Sequence, residues 1–120
     1  MPKRFVILIH SGLGAEHYDL MLEQAELLAT WQLSGSPGEL ARGQGIAARR
    51  IGDHRAAYLE YEGPVSRNRG TVKQLDKGTY ELLAADESRW EFELAGRKLR
   101  GRFELRHSGA AEEWTLQRLT

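Results

Sequence analysis

Short runs of alternating apolar and polar residues, separated by turn-forming residues, fill the second half of the chain. Trp90, Phe92 and Leu94 follow one another at every second position, and the same spacing recurs at Phe103 and Leu105. Because successive side chains on a strand point to opposite faces, this period of two predicts half-buried strands. We predict strands at residues 70–76, 79–84, 89–94, 98–106 and 113–119, with Ala95-Gly96-Arg97 as the clearest hairpin turn.

The first half adds more short strands. We predict strands at residues 4–10, 17–23, 27–33 and 46–51, loops at 34–45 and 63–69, and either a turn or one to two helical turns at 55–62. Residues 17–23 and 27–33 pair as a hairpin. At 120 residues the chain has room for one core. The sequence therefore predicts a mainly β fold, a small single-domain β-barrel or closed sandwich over residues 1–120, with short helical or loop segments.

A helix is the competing assignment for residues 15–29, because Leu, Glu, Met and Ala are good helix formers. The two assignments make opposite statements about His17 and Asp19. On a strand these residues share one face, together with Met21, while Tyr18, Leu20 and Leu22 face the core. On a helix they diverge by about 200°. A shared site at His17 and Asp19 therefore requires the strand.

Composition limits the classes of function. The formal net charge is zero, so no global basic field attracts nucleic acid, and any polyanion must be bound by local patches. The chain has no cysteine, which excludes disulfides and thiolate metal sites and suits a reducing compartment. The apolar run before His10 is too short for a signal peptide or a membrane helix. We expect a cytoplasmic protein without a membrane partner.

Three residues near the N-terminus have the spacing of a metal site. His17 and Asp19 lie two apart on a predicted strand, and His10 closes the strand before it. A His-x-Asp pair alone is expected by chance roughly once in every two chains of this composition. The evidence for a metal site is therefore the order of all three residues along two predicted strands. Two imidazoles and one carboxylate suit a borderline divalent cation better than Mg²⁺ or Ca²⁺, which prefer oxygen ligands.

Arginines are concentrated in the middle third of the chain. They are Arg42, Arg49, Arg50, Arg55, Arg67 and Arg69. Two interpretations are open at this point: a solvated surface, which is the usual place for arginine, or a rim that faces phosphate.

Several longer motifs follow one another in the order of a known family. They are His17-Tyr18-Asp19-Leu20-Met21-Leu22-Glu23 with Thr30-Trp31, Asp53-His54 with Tyr58 and Glu62-Gly63, Gly70-Thr71-Val72, Asp76-Lys77-Gly78-Thr79, Lys98-Leu99-Arg100-Gly101-Arg102-Phe103-Glu104-Leu105 and Trp114-Thr115-Leu116. With His10 at the end of the first strand, the chain resembles the 3′-phosphoesterase domain of bacterial DNA ligase D and its stand-alone relatives. The resemblance covers nearly the whole chain.

The resemblance implies roles for individual residues. His10, His17 and Asp19 would hold the metal, Mn²⁺ in the first place and Zn²⁺ or Co²⁺ as alternatives. His54 would be the catalytic proton donor or transition-state stabiliser, and Tyr58 would donate a hydrogen bond to the phosphate. The implied reaction removes a 3′-phosphate or a 3′-ribonucleotide from a primer strand in DNA repair. The implied partners are nucleic-acid 3′ ends on primer-template and the DNA repair ligase machinery.

The chain departs from the family at two phosphate-binding arginines. Met21 stands at the first position and Ile46 at the second, eight residues before His54. The family's function then requires replacement from nearby loops, and the candidates are Arg49, Arg50, Arg55, Arg67 and Arg69. Two other hypotheses remain open: a non-catalytic module that binds strand ends or a partner, and a metal-dependent esterase for a small phosphate ester.

Overall fold

The computed structural model describes residues 2–12 and 14–120, which form antiparallel strands joined by short connections. The strands are β1 (Lys3–Ser11), β2 (His17–Gln24), β3 (Leu27–Leu33), β4 (Gly45–Arg55), β5 (Gly63–Pro64), β6 (Thr71–Ala85), β7 (Arg89–Gly96), β8 (Arg100–His107) and β9 (Glu113–Arg118). Two short 3₁₀ turns, Pro37–Glu39 and Ala56–Leu59, lie on either side of β4. Among the described residues, no helix is long and apolar enough to cross a membrane.

The sheet closes on itself. Its strand order is β1-β2-β3-β4-β9-β8-β7-β6, and β6 pairs back with β1, so eight antiparallel strands form a barrel. The ninth strand, β5, is a two-residue addition to the start of β6. Closure pairs the backbone groups that an open sheet would leave at its edges. The predicted β-barrel is confirmed.

Apolar side chains fill the barrel and also cover part of its outside. Phe5 and Ile7 on β1 point into the barrel, while Val6 and Leu8 point outwards. This explains why β1 is a continuous apolar run rather than an alternating one. The outer apolar cluster consists of Val6, Leu8, Met21, Leu28, Leu59 and Val72, with Tyr58 and Val65 packed against it. It covers one patch of the wall beneath the 3₁₀ turn Ala56–Leu59.

The β2–β3 hairpin confirms the strand assignment and excludes the helix. Tyr18 pairs with Leu33 and Gln24 with Leu27, in unbroken register. Leu20 and Leu22 lie in the inner core, and Met21 lies in the outer cluster. The predicted faces of this strand are therefore confirmed.

The predicted break between strands 70–76 and 79–84 is wrong, because one strand, β6, runs through these residues. The Asp76 side chain accepts backbone N–H groups from the β7–β8 turn instead of closing a turn of its own. Gly78 lets the strands approach, since a Cβ there would lie 2.2 Å from the Ala95 carbonyl oxygen. The β7–β8 turn also lies slightly later than predicted, because Ala95 and Gly96 still belong to β7.

Candidate metal centre and active site

The three predicted ligands converge on the outer wall of the barrel. His10 and His17 face each other across β1 and β2, and their ring centroids are 4.8 Å apart. Asp19 lies between them: its Oδ2 is 3.8 Å from His10 Nδ1 and its Oδ1 is 3.4 Å from His17 Nε2. One ligand atom from each residue lies within 4.8 Å of the other two. A single cation can be reached from all three side chains.

Asp19 carries a buried carboxylate with an imidazole on either side. It is 3% exposed, and in the part of the chain that the structure describes its Oδ1 has no hydrogen-bond partner. Burial raises the pKa of the Asp19 carboxyl, although the neighbouring His17 and His10 act to lower it. A buried carboxylate costs free energy unless a cation or a donor compensates it. The arrangement suits a bound cation.

A backbone carbonyl orients His10. The Arg69 carbonyl oxygen lies 2.5 Å from His10 Nε2, so Nε2 carries the proton and donates it, which leaves the lone pair of Nδ1 facing Asp19. Gly70 makes this contact possible. Its φ is +82°, and a Cβ there would lie 2.1 Å from the Ser11 carbonyl oxygen and 3.3 Å from His10 Nε2.

A bulge in β4 places His54 on the site's face. Leu28 pairs with His54 and Thr30 with Ile51, so two residues of β4, Gly52 and Asp53, stand opposite one residue of β3. His54 Nδ1 donates to the Gly52 carbonyl at 2.9 Å. Tyr58, on the following 3₁₀ turn, packs edge-to-face against the His54 ring at 5.5 Å. The separation of four residues thus brings the two side chains together.

These groups share one cavity, which we call the central cavity. Its volume is about 320 Å³. The polar and charged lining residues are His10, Asp19, Asp53, His54, Arg55, Tyr58 and Arg69, and Met21, Val65 and Val72 complete it. His17 lies at the border with a second cavity of about 830 Å³, which we call the lateral groove.

The five candidate arginines have different positions. Arg55 and Arg69 line the central cavity, and Arg49 lines the lateral groove. The Arg50 guanidinium stacks 4.3 Å from the Trp31 ring and lies 3.7 Å from Asp53, so it is engaged in packing. Arg67 is exposed in a turn with a φ of 63°. Arg55 and Arg69 are therefore the arginines closest to the proposed chemistry.

The two family arginine positions differ in kind. Met21 borders the central cavity, but it is 1% exposed and packs in the outer cluster with Leu28 and Leu59. Ile46 packs against the inner core, on the other side of the wall, and does not line the central cavity. Replacement of the two arginines therefore leaves one apolar wall in the cavity and one additional core residue.

Sequence reasoning missed the backbone contact that orients His10 and the aromatic neighbour of Tyr58. The Arg69 backbone, rather than its side chain, orients His10, and Gly70 permits the approach. A glycine at the first position of the predicted strand 70–76 was the available signal, since such glycines often mark a close backbone contact. Tyr61 was also missed: it packs edge-to-face on Tyr58 at 5.8 Å.

The comparison with family models agrees with this geometry. The model of the DNA ligase D 3′-phosphoesterase domain matches residues 10–107, which include the three predicted ligands, His54 and Tyr58. No curated protein matches the chain. The match covers most of the chain and implies a function of the 3′-phosphoesterase type. The chain belongs to the DNA ligase D 3′-phosphoesterase domain family.

Proposed function

We propose that this chain is a metal-dependent phosphoesterase that removes a 3′-phosphate or a 3′-ribonucleotide from nucleic acid during DNA repair. The observation that carries the proposal is the buried Asp19, which lies between two imidazoles and whose Oδ1 has no hydrogen-bond partner within residues 2–12 and 14–120. The proposed partners are primer-template 3′ ends in the cytoplasm and the repair ligase machinery.

The donor set fits a borderline divalent cation. His10 Nδ1, His17 Nε2 and an Asp19 oxygen are close enough to share one ion, and Arg69 fixes the His10 tautomer that ligation needs. Mn²⁺ is our first expectation, with Zn²⁺ and Co²⁺ as alternatives. When bound, such an ion neutralises charge on the phosphoryl oxygens and favours ionisation of the attacking water.

The remaining residues act on the phosphate and the leaving group. With Nδ1 bonded to the Gly52 carbonyl, a protonated His54 has its Nε2–H available to donate a proton to the leaving oxygen. The Tyr58 hydroxyl donates to a non-bridging oxygen. Arg55, and Arg69 once it leaves Ser66, bind phosphate in place of the family's arginines. Contacts to phosphate and sugar carry no sequence information, so the reaction does not depend on base identity.

The test is turnover of a primer-template that ends in a 3′-phosphate, with and without Mn²⁺. Release of phosphate should require the metal and should stop when a chelator is added. His54→Ala should lower the rate by about 10²–10⁴ with Mn²⁺ affinity retained, because the residue serves the chemistry rather than the metal. His107→Ala is the matched control, since His107 bonds to the Ala111 carbonyl and is not one of the residues that line the central cavity. Loss of Mn²⁺ binding in His54→Ala, or an unaltered rate, contradicts the proposed role.

A specific observation keeps a second candidate in view, a module that binds strand ends without catalysis. Met21 offers an apolar wall where the family has a phosphate-binding arginine. A thioether cannot replace the charge-assisted hydrogen bonds of a guanidinium. If the wild-type protein binds a 3′-phosphorylated strand in a salt-dependent manner and shows no turnover with Mn²⁺, the module replaces the enzyme.

A further inference from the structure

An aromatic cleft continues from the central cavity. Its volume is about 320 Å³, and its lining includes Arg55, Tyr58, Tyr61, Pro64 and Val65. Arg55, Tyr58 and Val65 also line the central cavity, so the two spaces are continuous. The rings of His54, Tyr58 and Tyr61 follow one another edge-to-face at 5.5 and 5.8 Å. We call this space the tyrosine cleft.

Tyr61 is exposed and yet held in place. The residue is 38% exposed, and among the described residues only Leu27 and Leu83 are large hydrophobic residues of similar exposure. Its hydroxyl donates to the Pro64 carbonyl, which closes a small loop through Gly63. Gly63 has a φ of +128°, and a Cβ there would lie 3.3 Å from the Tyr61 hydroxyl. A fixed aromatic face next to a phosphate site is the arrangement on which single-stranded nucleic acids stack their bases.

Charge distinguishes the tyrosine cleft from the lateral groove. The lateral groove is larger, but its lining contains three carboxylates, Glu16, Glu112 and Glu113, against one arginine, Arg49. The lining of the tyrosine cleft contains Arg55 and no acidic residue. The neighbouring Glu62 is turned towards β6, where it accepts the Gln74 backbone N–H at 2.7 Å. A polyanionic strand is repelled by the first surface and attracted by the second.

We propose that the 3′-terminal nucleobase of the substrate strand stacks on Tyr61, while Arg55, which lines both spaces, binds the 3′-phosphate at the metal centre. The strand therefore leaves the metal centre through the tyrosine cleft and not through the lateral groove. This inference rests on the proposed function. It adds a base-binding subsite that does not discriminate among bases, since every base offers a face for stacking. It also separates nucleic-acid substrates, which reach Tyr61, from small phosphate esters, which do not.

Kinetics with matched variants tests the subsite. Tyr61→Leu should raise KM for a 3′-phosphorylated single-stranded oligonucleotide by about tenfold or more, with kcat and the rate on a small aryl phosphate unchanged. Tyr61→Phe keeps the ring but loses the hydrogen bond to the Pro64 carbonyl, so its KM should lie between those of wild type and Tyr61→Leu. Glu112→Gln, in the lateral groove, should leave KM unaltered. An unchanged KM in Tyr61→Leu overturns the proposal, and so does a KM lowered severalfold by Glu112→Gln.

A binding measurement keeps the subsite distinct from catalysis. We suggest an oligonucleotide that ends in a 3′-hydroxyl and carries 2-aminopurine either at the 3′ end or several bases upstream, added to the wild-type protein. Stacking on Tyr61 should quench the terminal fluorophore more than the upstream one. If quenching occurs without any turnover of the phosphorylated strand, the proposed function fails and the subsite stands. If turnover occurs and the terminal fluorophore is not quenched, the subsite fails and the enzyme stands.

Discussion

Two buried carboxylates, on the two strands that flank β1, have opposite surroundings. Asp76 on β6 is 5% exposed and accepts backbone N–H groups from Lys77, Arg97, Lys98 and Leu99, the closest at 2.7 Å. Asp19 on β2 is 3% exposed, and in the part of the chain that the structure covers its Oδ1 accepts no hydrogen bond. Carboxylates that a fold uses for stability are surrounded by donors. Asp19 Oδ1, which has no donor among the described residues, can instead accept an added cation.

A third buried carboxylate follows the pattern of Asp76. Glu104 on β8 is 7% exposed, and it accepts hydrogen bonds from Arg89 Nε at 2.6 Å and Arg106 Nε at 3.1 Å. The β7–β8 face therefore satisfies its acids with guanidinium groups of the same face. The β1–β2 face places two histidines beside its acid, at distances of 3.4 and 3.8 Å. The acid of the β7–β8 face already has its hydrogen-bond donors, whereas the acid of the β1–β2 face has the neighbours of a cation site.

Removing Asp76 should give the largest loss of stability. Asp76→Ala leaves the backbone N–H groups of the β7–β8 turn without their buried acceptor, and the expected loss is about 4 kcal/mol of unfolding free energy. Urea unfolding measures it. Asp86→Ala is the control, because Asp86 also accepts N–H groups at a turn but is exposed, so water can replace it. Equal losses in the two variants would contradict the role of burial.

Adding an arginine near Asp19 should raise the rate on the phosphorylated primer and lower the stability of the fold. Met21 borders the central cavity on the same face as Asp19, so Met21→Arg gives this region the guanidinium that Glu104 already has. We expect a rate on the 3′-phosphorylated primer raised by about 10²-fold, because a preorganised phosphate contact acts in the transition state. The expected cost is about 2 kcal/mol of stability, since the position lies in an apolar cluster.

Met21→Leu is the control for that variant, because it keeps the volume and adds no charge. Its rate should equal that of the wild type. A variant Met21→Arg that binds Mn²⁺ normally and remains inactive would favour the binding module over the enzyme.

The local patterns of the sequence predicted more of this molecule than its distant contacts. Alternation in residues 17–23 was sufficient for the β2–β3 hairpin and for the faces of Leu20 and Met21, because both depend on neighbours along the strand. The same logic failed at Asp76. Its residue types are those of a turn, whereas its carboxylate accepts backbone N–H groups from residues 21 to 23 positions later, a contact that the local pattern does not contain.

The candidate site divides in the same way. The ordering of His10, His17 and Asp19 along two strands predicted that these side chains would meet, and the register of β1 and β2 brings them together. The carbonyl of Arg69 arrives from 59 residues away, through a contact that only Gly70 allows. A carbonyl group is the same in every residue, so the pattern of side chains did not predict which one would contact His10. Whether the three ligands hold Mn²⁺ stays a prediction.

Removing the Asp19 charge should have opposite effects on metal binding and on metal-free stability. Asp19→Asn should weaken Mn²⁺ binding by more than tenfold in calorimetry, because a ligand and its countercharge are lost. The metal-free variant should be at least as stable as the metal-free wild type, since a buried charge without donors has been removed. Asp53→Asn is the control, an exposed carboxylate that lines the same cavity. If metal-free Asp19→Asn were destabilised as much as Asp76→Ala, Asp19 would stabilise the fold in the way that Asp76 does, which would contradict the prediction.

The smallest expected effect concerns the acid range and Glu104. Burial raises the pKa of Glu104, but the hydrogen bonds from Arg89 and Arg106 outweigh it and hold the pKa below its ordinary value. A carboxyl whose pKa is lower in the folded state stabilises the protein above its ordinary pKa, and this contribution disappears as the pH falls through the lowered value. Glu104→Gln should therefore be less stable than the wild type at neutral pH, with a difference that shrinks below about pH 4. Thermal unfolding from pH 3 to 7 measures this convergence. A difference that stays constant over the range would mean that the guanidinium groups do not stabilise the ionised form of Glu104.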